Sequence, residues 1–292
     1  MNASLKPPLA PVVTYAEAVS SGIKHPERNR LTPIMHGFYA TTDSVSLHCR
    51  VEAALRTAGK DAAICGATAL RLREVDLPAR LVRDTRVWIQ VPECQTWPRR
   101  AEVRLVRTNR VGAVRLHSGL PIVDLPSCWL QLAPESTIDE LVEVADALMR
   151  RKHCFTNQAQ LAATIDSHQG SPGIRKARIA FDLSRTGTDS IPETDLRLLL
   201  VRGGLPAPVV NLPITDAWGQ VLYILDLAYE GAKVAIEYDG AYHVGNRQQM
   251  EQDAVRRRYL EDHGWRVITV TSTDMFTDPD GIIASVRKAL LR

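Results

Sequence analysis

The sequence lacks the features that would place the protein in a membrane or in an oxidising compartment. No stretch reaches the roughly 18 apolar residues of a membrane-spanning helix, and residues 1–13 contain no basic n-region followed by a long apolar run. The five cysteines are scattered, without a C-x-x-C pair or a matching histidine spacing, so neither a zinc site nor a disulfide framework is indicated. We therefore expect a cytoplasmic protein that holds no zinc and contacts no membrane.

The charge is distributed unevenly along the chain. Up to Arg185 there are 25 Lys and Arg against 18 Asp and Glu, whereas from Thr186 onward there are 11 against 15. Much of the positive excess lies between Arg71 and Arg115 and includes the adjacent Arg99 and Arg100. A protein that binds a polyanion and a metal ion needs both kinds of segment, because cations hold phosphates and anions hold the ion. A solvated basic surface is the alternative interpretation.

Composition and turn residues predict three parts. Residues 1–43 are typical of a short helix followed by one strand of a wing, which makes a small, truncated winged-helix-like start. Residues 44–185 form a basic region in which short helices and strands alternate. The boundary is predicted within residues 167–190, where GSPG and RTGTDS are rich in turn-forming residues. Residues 186–292 form the last predicted domain.

The rest of the chain is organised around the stretch VLYILDLAYEGAKVAIEYDGAY, residues 221–242. Two runs rich in Val, Ile, Leu and Tyr flank a turn, which predicts a β-hairpin. With a two-residue turn, Asp226 lies directly opposite Glu237, at a Cβ separation of roughly 5 Å. Asp239 lies on the same face, about 7 Å further along the strand. The hairpin therefore brings three carboxylates together.

Such a group is unfavourable without a cation, because like charges repel and raise one another's pKa. Carboxylate oxygens with water completing the coordination shell suit Mg²⁺ or Mn²⁺ better than zinc. The alternative is a solvated acidic face. The position of Glu237 within an apolar strand favours the metal site.

The order of the elements predicts the fold of the last domain. Ser190 can cap a helix in which Glu193 completes a capping box, and capping alone would explain this glutamate. The hairpin, a helix from Arg247 to His263 and the strand WRVITVT then complete an α-β-β-α-β unit with a parallel final crossover. The whole chain is therefore predicted to be α/β, or α+β overall.

These elements resemble the restriction-endonuclease-like fold of the PD-(D/E)XK superfamily. Residues 190–292 resemble the very-short-patch-repair-like endonuclease family within it, through the segments SIPETDLR, LYILDLAY, VAIEYDGAYH and QDAVRRRYLEDHGWRVITV. The preceding part, with HGFYA, ICGATALRL and LPIVDLPS, resembles the AbiEi-type antitoxin-like region that is often fused ahead of this domain. The two resemblances together cover nearly the whole chain.

The resemblance implies roles for individual residues. Asp226 and Glu237 would hold the metal ion, and Glu193 would complete or support the site from the helix. Asp239 occupies the position where many members of the superfamily carry a lysine that helps to activate water, and this departure argues against strong hydrolysis. His243 matches a histidine of the endonuclease-like relatives and would orient or deprotonate the attacking water, since its ordinary pKa lies near neutrality.

Two functions follow as hypotheses. The first is metal-assisted hydrolysis of phosphodiester bonds, with DNA favoured over RNA, Mg²⁺ or Mn²⁺ as cofactor, and Arg99, Arg100, Arg256 and Arg258 contacting the nucleic acid. The second is a DNA-binding regulator or antitoxin-like protein in which the nuclease fold is a catalytically weak or inactive scaffold. Metal binding distinguishes the two.

Overall fold

The computed structural model of the chain describes residues 11–23, 31–94, 97, 100–108, 113–240 and 247–291. In these ranges the chain forms helices and three β-sheets, which confirms the predicted combination of α and β structure. Contacts divide the chain into unit 1, residues 1–74 and 79–131, and unit 2, residues 75–78 and 132–292. None of the helices in the described ranges is long and apolar enough to cross a lipid bilayer.

Unit 1 contains a three-stranded sheet and a five-stranded sheet. Its elements are β1 (Val12–Thr14), α1 (Tyr15–Ser20), β2 (Thr32–Met35), β3 (Phe38–Ala40), α2 (Leu47–Ala58), β4 (Ala63–Ile64), α3 (Gly66–Leu72), α4 (Ala79–Arg83), β5 (Val87–Val91), β6 (Val103–Arg107), β7 (Val114–His117), β8 (Leu120–Val123) and α5 (Leu125–Leu132), which ends at the unit boundary. The strand orders are β1-β3-β2 and β6-β5-β4-β8-β7. Thr14 and Glu17 form a capping box at the start of α1.

Unit 2 contains one four-stranded sheet with helices before and after it. Its elements are α6 (Ile138–Leu148), α7 (Gln158–Ser167), α8 (Ile174–Leu183), α9 (Ile191–Arg202), β9 (Val209–Thr215), β10 (Val221–Tyr229), β11 (Val234–Asp239), α10 (Arg247–Asp262), β12 (Arg266–Thr271), α11 (Ser272–Thr277) and α12 (Pro279–Leu290). The strand order is β12-β11-β10-β9. The pair β11 and β12 is parallel, as predicted, and the other two pairs are antiparallel.

The strand β9 is an addition to the predicted α-β-β-α-β order. It contains Pro213, which cannot donate to a backbone ladder, and Asn211, whose φ is +49°. Proline is tolerated on edge strands, and β9 is the edge strand of this sheet. The residues that obscured the strand pattern in the sequence are therefore those that an edge position tolerates.

The sheet of unit 2 has a core cluster on each side. Leucines of α9 and apolar residues of α12 pack with Leu227, Val234 and Ile236. On the other side, Leu260 of α10 and Trp265 pack with Leu225 and apolar neighbours. Alternate side chains of β11 enter opposite clusters, as expected of a strand that is covered on both faces. Glu237, which follows Ile236, is thereby directed to the side covered by α10.

The predicted domain boundary at residues 185/186 lies inside unit 2. A polar network joins α6 to α9 across this position. Asp146 of α6 accepts hydrogen bonds from Arg197 Nη2 at 2.6 Å, from Thr194 Oγ1 at 3.0 Å and from the Arg185 amide at 2.6 Å. Glycine and serine around residue 170 form a turn between α7 and α8 rather than a linker.

Candidate functional site

The carboxylates predicted from the hairpin lie where β10 and β11 diverge. Leu227 pairs with Ile236, and the same register makes Asp226 and Glu237 the next opposed residues, as the sequence predicted. The described pairing of these two strands ends at Leu227, however. Beyond it, the Tyr238 amide donates to Asp226 Oδ2 at 2.9 Å instead of to a backbone carbonyl. The acidic pair therefore occupies an opening between two strands rather than a regular ladder.

Strand β10 is distorted at Asp226. Leu225 and Leu227, two residues apart, pack into clusters on opposite sides of the sheet, whereas a regular strand would place them on the same side. On β9, the pairs Leu225–Leu212 and Leu227–Val210 leave Asn211 opposite Asp226, with its backbone in the left-handed region. Asparagine adopts that region more readily than most residues. Local strain of this kind often accompanies functional sites.

Glu193 approaches the pair from the first turn of α9. Its Oε1 accepts from the Ser190 hydroxyl at 2.8 Å and its Oε2 accepts from the Asp189 amide at 3.0 Å, while Asn211 Nδ2 lies 3.4 Å from Oε2. The side chain is buried, with 7% of its surface exposed. Ser190 caps the helix, as predicted, but the predicted capping box is not completed, because Glu193 accepts from the Asp189 amide instead of the Ser190 amide. These contacts hold the Glu193 side chain in a fixed orientation.

Arg256 of α10, which is predicted from the sequence to contact nucleic acid, binds Glu237 in this structure. Its Nη2 donates to Glu237 Oε1 at 2.8 Å and to Oε2 at 2.7 Å, and also to the Ile224 carbonyl at 2.7 Å. Because α10 covers the side of the sheet to which Glu237 is directed, an arginine on this helix can reach the partly buried carboxylate of Glu237. Burial makes such a counter-ion favourable.

The pKa values of both facing carboxylates are raised. Burial raises the pKa of Asp226 to about 6, with the charges of Glu193 and Asp189 adding to the effect, while the Tyr238 amide and Arg256 oppose it. Burial also raises the pKa of Glu237 to about 7, with the negative charge of Asp226 as the next cause and Arg256 opposing. The site thus has an excess of negative charge that one arginine does not neutralise.

Asp189 also belongs to this group of acidic residues, although no motif in the sequence indicates it. It precedes the helix cap, forms an ion pair with Arg151, and influences Asp226 through its charge. Asn211 was missed for the same reason. Both residues come close to the site only through tertiary packing, and neither lies in a motif.

The predicted three-carboxylate metal site is not assembled in the described structure. In the ranges that the structure describes, no group of three or more His, Cys, Asp or Glu residues is arranged to hold a metal ion. The physical reason is that the cap occupies the oxygens of Glu193, and Arg256 occupies those of Glu237. Asp226 and Glu237 nevertheless fit a divalent ion as a pair, because they are oxygen donors with raised pKa values next to a bound cationic group.

The other predicted residues are only partly described. Asp239 ends β11 at an exposed position, and Arg258 is exposed on α10. Arg100 donates to the His36 carbonyl at 3.3 Å within unit 1. His243 and Arg99 lie outside the described residues. The roles predicted for these five residues stay predictions.

The raised pKa values predict that the free energy of unfolding decreases as the pH increases from about 4 to about 7. In that window folded Asp226 and Glu237 keep protons that the unfolded chain has released, so increasing pH favours unfolding. Glu143 and Asp195, whose pKa values are raised to about 8 and about 6, contribute as well. Urea denaturation at pH 5 and pH 8 measures the slope of the unfolding free energy against pH.

Asp226→Asn isolates the contribution of the site to that slope. We expect the difference in unfolding free energy between pH 5 and pH 8 to be smaller in this variant than in the wild-type protein. Glu230→Gln, at the exposed turn of the same hairpin, is the control and should leave the difference unchanged. A slope that Asp226→Asn leaves intact would show that this carboxylate is not proton-linked to folding.

Comparison with known proteins places a restriction-endonuclease-like domain over this site. Residues 211–290 match the model of the REase_MTES_1575 family, a restriction endonuclease-like family. Two proteins of Mycobacterium tuberculosis, the uncharacterized protein MT2308 of strain CDC 1551 / Oshkosh and the uncharacterized protein Rv2248 of strain H37Rv, are each 25% identical over 195 residues, which is 66% of this chain and 70% of the relative. Restriction-endonuclease-like folds usually use divalent metal ions. The match begins at Asn211 and includes β10, β11 and α10.

Proposed function

We propose that the restriction-endonuclease-like domain hydrolyses phosphodiester bonds in nucleic acid, with DNA as the favoured substrate and Mg²⁺ or Mn²⁺ as cofactor. The observation that carries this proposal is the facing pair Asp226 and Glu237, which is half-buried where two strands diverge and in which both pKa values are raised. The family to which residues 211–290 are similar supports the same chemistry. The finer resemblances, to very-short-patch-repair-like endonucleases and AbiEi-type antitoxin-like proteins, belong to this proposal as well.

Each carboxylate has a distinct part in the proposed chemistry. Asp226 and Glu237 would hold the ion, and Glu193 would support them with its negative charge from the start of α9. When bound, the ion would supply Lewis-acid stabilisation of a phosphoryl oxygen and lower the pKa of a coordinated water. Asp239 lies at the exposed end of β11, two residues after Glu237.

Proton transfer and substrate binding fall to residues outside the pair. We assign His243, four residues after β11, the role of accepting a proton from the attacking water. We assign phosphate binding to Arg258 on α10 and to the Arg99–Arg100 segment of unit 1, which would make binding dependent on salt. These roles are assigned from the sequence.

A cleavage assay tests the proposed function. Plasmid DNA, oligonucleotide DNA and RNA are incubated with the full chain in Mg²⁺, in Mn²⁺, or in EDTA. We expect DNA to be cleaved with either ion and to remain intact in EDTA. Cleavage that persists in EDTA would contradict the metal requirement, and intact substrates under every condition would contradict the hydrolase.

One observation favours a second function, that of a DNA-binding regulator or antitoxin-like protein. Arg256 neutralises Glu237, as expected of a nuclease fold that is retained as a scaffold and does not bind a metal ion. Isothermal titration separates the two functions. Binding of duplex DNA together with no detectable binding of Mn²⁺ would favour the regulator, whereas stoichiometric Mn²⁺ binding would favour the hydrolase.

A further inference from the structure

The contact between Arg256 and Glu237 has the geometry of a bound cation. A single nitrogen, Nη2, lies at nearly equal distances from the two carboxylate oxygens, 2.8 and 2.7 Å. A paired guanidinium–carboxylate contact would instead use two nitrogens, one for each oxygen. A nitrogen on the bisector of the carboxylate is where a cation chelated by both oxygens would sit. Arg256 therefore occupies the coordination position of Glu237 that a divalent ion needs.

We propose that Arg256 is an internal counter-ion that exchanges with the divalent ion: the ion binds when the guanidinium leaves Glu237, and the released guanidinium then contacts the phosphate of the substrate. The inference rests on the proposed function, since it concerns the same pair of carboxylates. It assigns Arg256 two alternating contacts. It also explains how a fold that usually binds a metal can contain an arginine within its acidic pair.

Charge and distance make simultaneous occupancy unfavourable. Mg²⁺ binds oxygen at about 2.0–2.1 Å, so an ion chelated by both oxygens of Glu237 would overlap with Nη2, which lies 2.8 and 2.7 Å from the same two oxygens. Two cations at that separation repel strongly in a partly buried site. A divalent ion also neutralises more of the excess charge of Asp226 and Glu237 than one guanidinium does. The exchange therefore removes a repulsion and adds a favourable charge interaction.

The position of Arg256 allows it to leave. Its side chain is 30% exposed, while that of Glu237 is 16% exposed, so the guanidinium has a route to solvent. Its third acceptor, the Ile224 carbonyl, belongs to β10 before the section that pairs with β11. The planar guanidinium that is released from Glu237 is suited to binding a phosphate group.

Mn²⁺ titration of the full chain tests the exchange. Isothermal titration without nucleic acid compares the wild-type protein, Arg256→Gln and Arg257→Gln. The control variant Arg257→Gln removes the same charge from an exposed position of the same helix, where the side chain contacts Thr269 and not Glu237. We expect Arg256→Gln to bind Mn²⁺ about tenfold more tightly, because no charge-assisted hydrogen bonds have to break. Arg257→Gln should bind with the wild-type Kd. A Kd for Arg256→Gln that is unchanged or weaker overturns the exchange.

A crystal structure of the wild-type protein with Mn²⁺ provides a measurement that does not depend on the folding of a variant. We expect the ion on Glu237 and Arg256 Nη2 away from both oxygens. An ion bound to Asp226 and Glu237 with Arg256 still in place overturns the exchange but leaves the proposed function standing. Absence of Mn²⁺ binding in the wild-type protein and in Arg256→Gln overturns both.

Discussion

Replacing Asp226 by asparagine is expected to reduce metal-dependent cleavage by on the order of 100-fold or more, and at the same time to stabilise the folded protein at pH 8. The loss of activity follows because asparagine offers no negative charge to the ion, and removing one preorganised electrostatic group typically costs about 10²–10³ in rate. The gain in stability follows because burial raises the pKa of Asp226 to about 6. The ionised carboxylate at pH 8 therefore lowers the free energy of unfolding, and asparagine removes this effect.

The expected stabilisation is on the order of 1–2 kcal/mol, since each unit of pKa shift corresponds to about 1.4 kcal/mol. Asparagine keeps an oxygen that can accept the Tyr238 amide, so the hydrogen bond at the opening of the strands is preserved. Urea denaturation at pH 8 and a cleavage assay in Mn²⁺ measure the two effects on the same preparation. Glu230→Gln, an exposed position of the same hairpin, should change neither.

The combination of effects distinguishes a metal site from a structural carboxylate. A carboxylate that only supports the fold should lose stability on substitution, and its effect on cleavage should follow the loss of folded protein. Higher stability together with lost cleavage is expected only where the negative charge is unfavourable for folding and required for function. Unchanged cleavage in Asp226→Asn would remove this residue from the proposed site.

The sequence predicted the part of the site that depends on local geometry. Counting residues outward from the turn placed Asp226 opposite Glu237, and the observed pairing of Leu227 with Ile236 has the same register. The count assumed regular strands, so it did not predict the distortion at Asp226 or the left-handed backbone of Asn211. Register is a property of the hairpin, whereas that distortion depends on β9, a strand that the sequence did not predict.

The contacts that were missed all involve residues distant along the chain. Arg256 is 19 residues from Glu237. Its place on a helix does not show which side of the sheet that helix covers. Arg197 and Asp146, 51 residues apart, were assigned to different domains. Periodicity shows which face of an element is apolar. It does not show which buried charge on another element that face will meet.

The second large effect is expected at the ion pair between Asp146 and Arg197, where Arg197→Met should destabilise unit 2 by about 3–5 kcal/mol. The two side chains are 0% and 2% exposed. Burial raises the pKa of Asp146 and the charge of Arg197 opposes that increase. Removing the arginine leaves a buried carboxylate with only the Thr194 hydroxyl and the Arg185 amide as donors. Urea denaturation at pH 7 measures the change.

The double variant Asp146→Asn, Arg197→Met should recover much of that loss. The asparagine oxygen can accept from the Arg185 amide, its NH2 group can donate to the Thr194 hydroxyl, and the amide carries no charge to be neutralised. Arg202→Met is the matched control: it breaks an exposed ion pair with Asp139 from the same helix α9, and should cost less than about 1 kcal/mol. Equal losses in Arg197→Met and Arg202→Met would show that the buried pair does not hold α6 to α9. Because α9 also positions Glu193, the expected loss of stability in Arg197→Met should be accompanied by weaker Mn²⁺ binding at Asp226 and Glu237. Mn²⁺ binding should recover in the double variant.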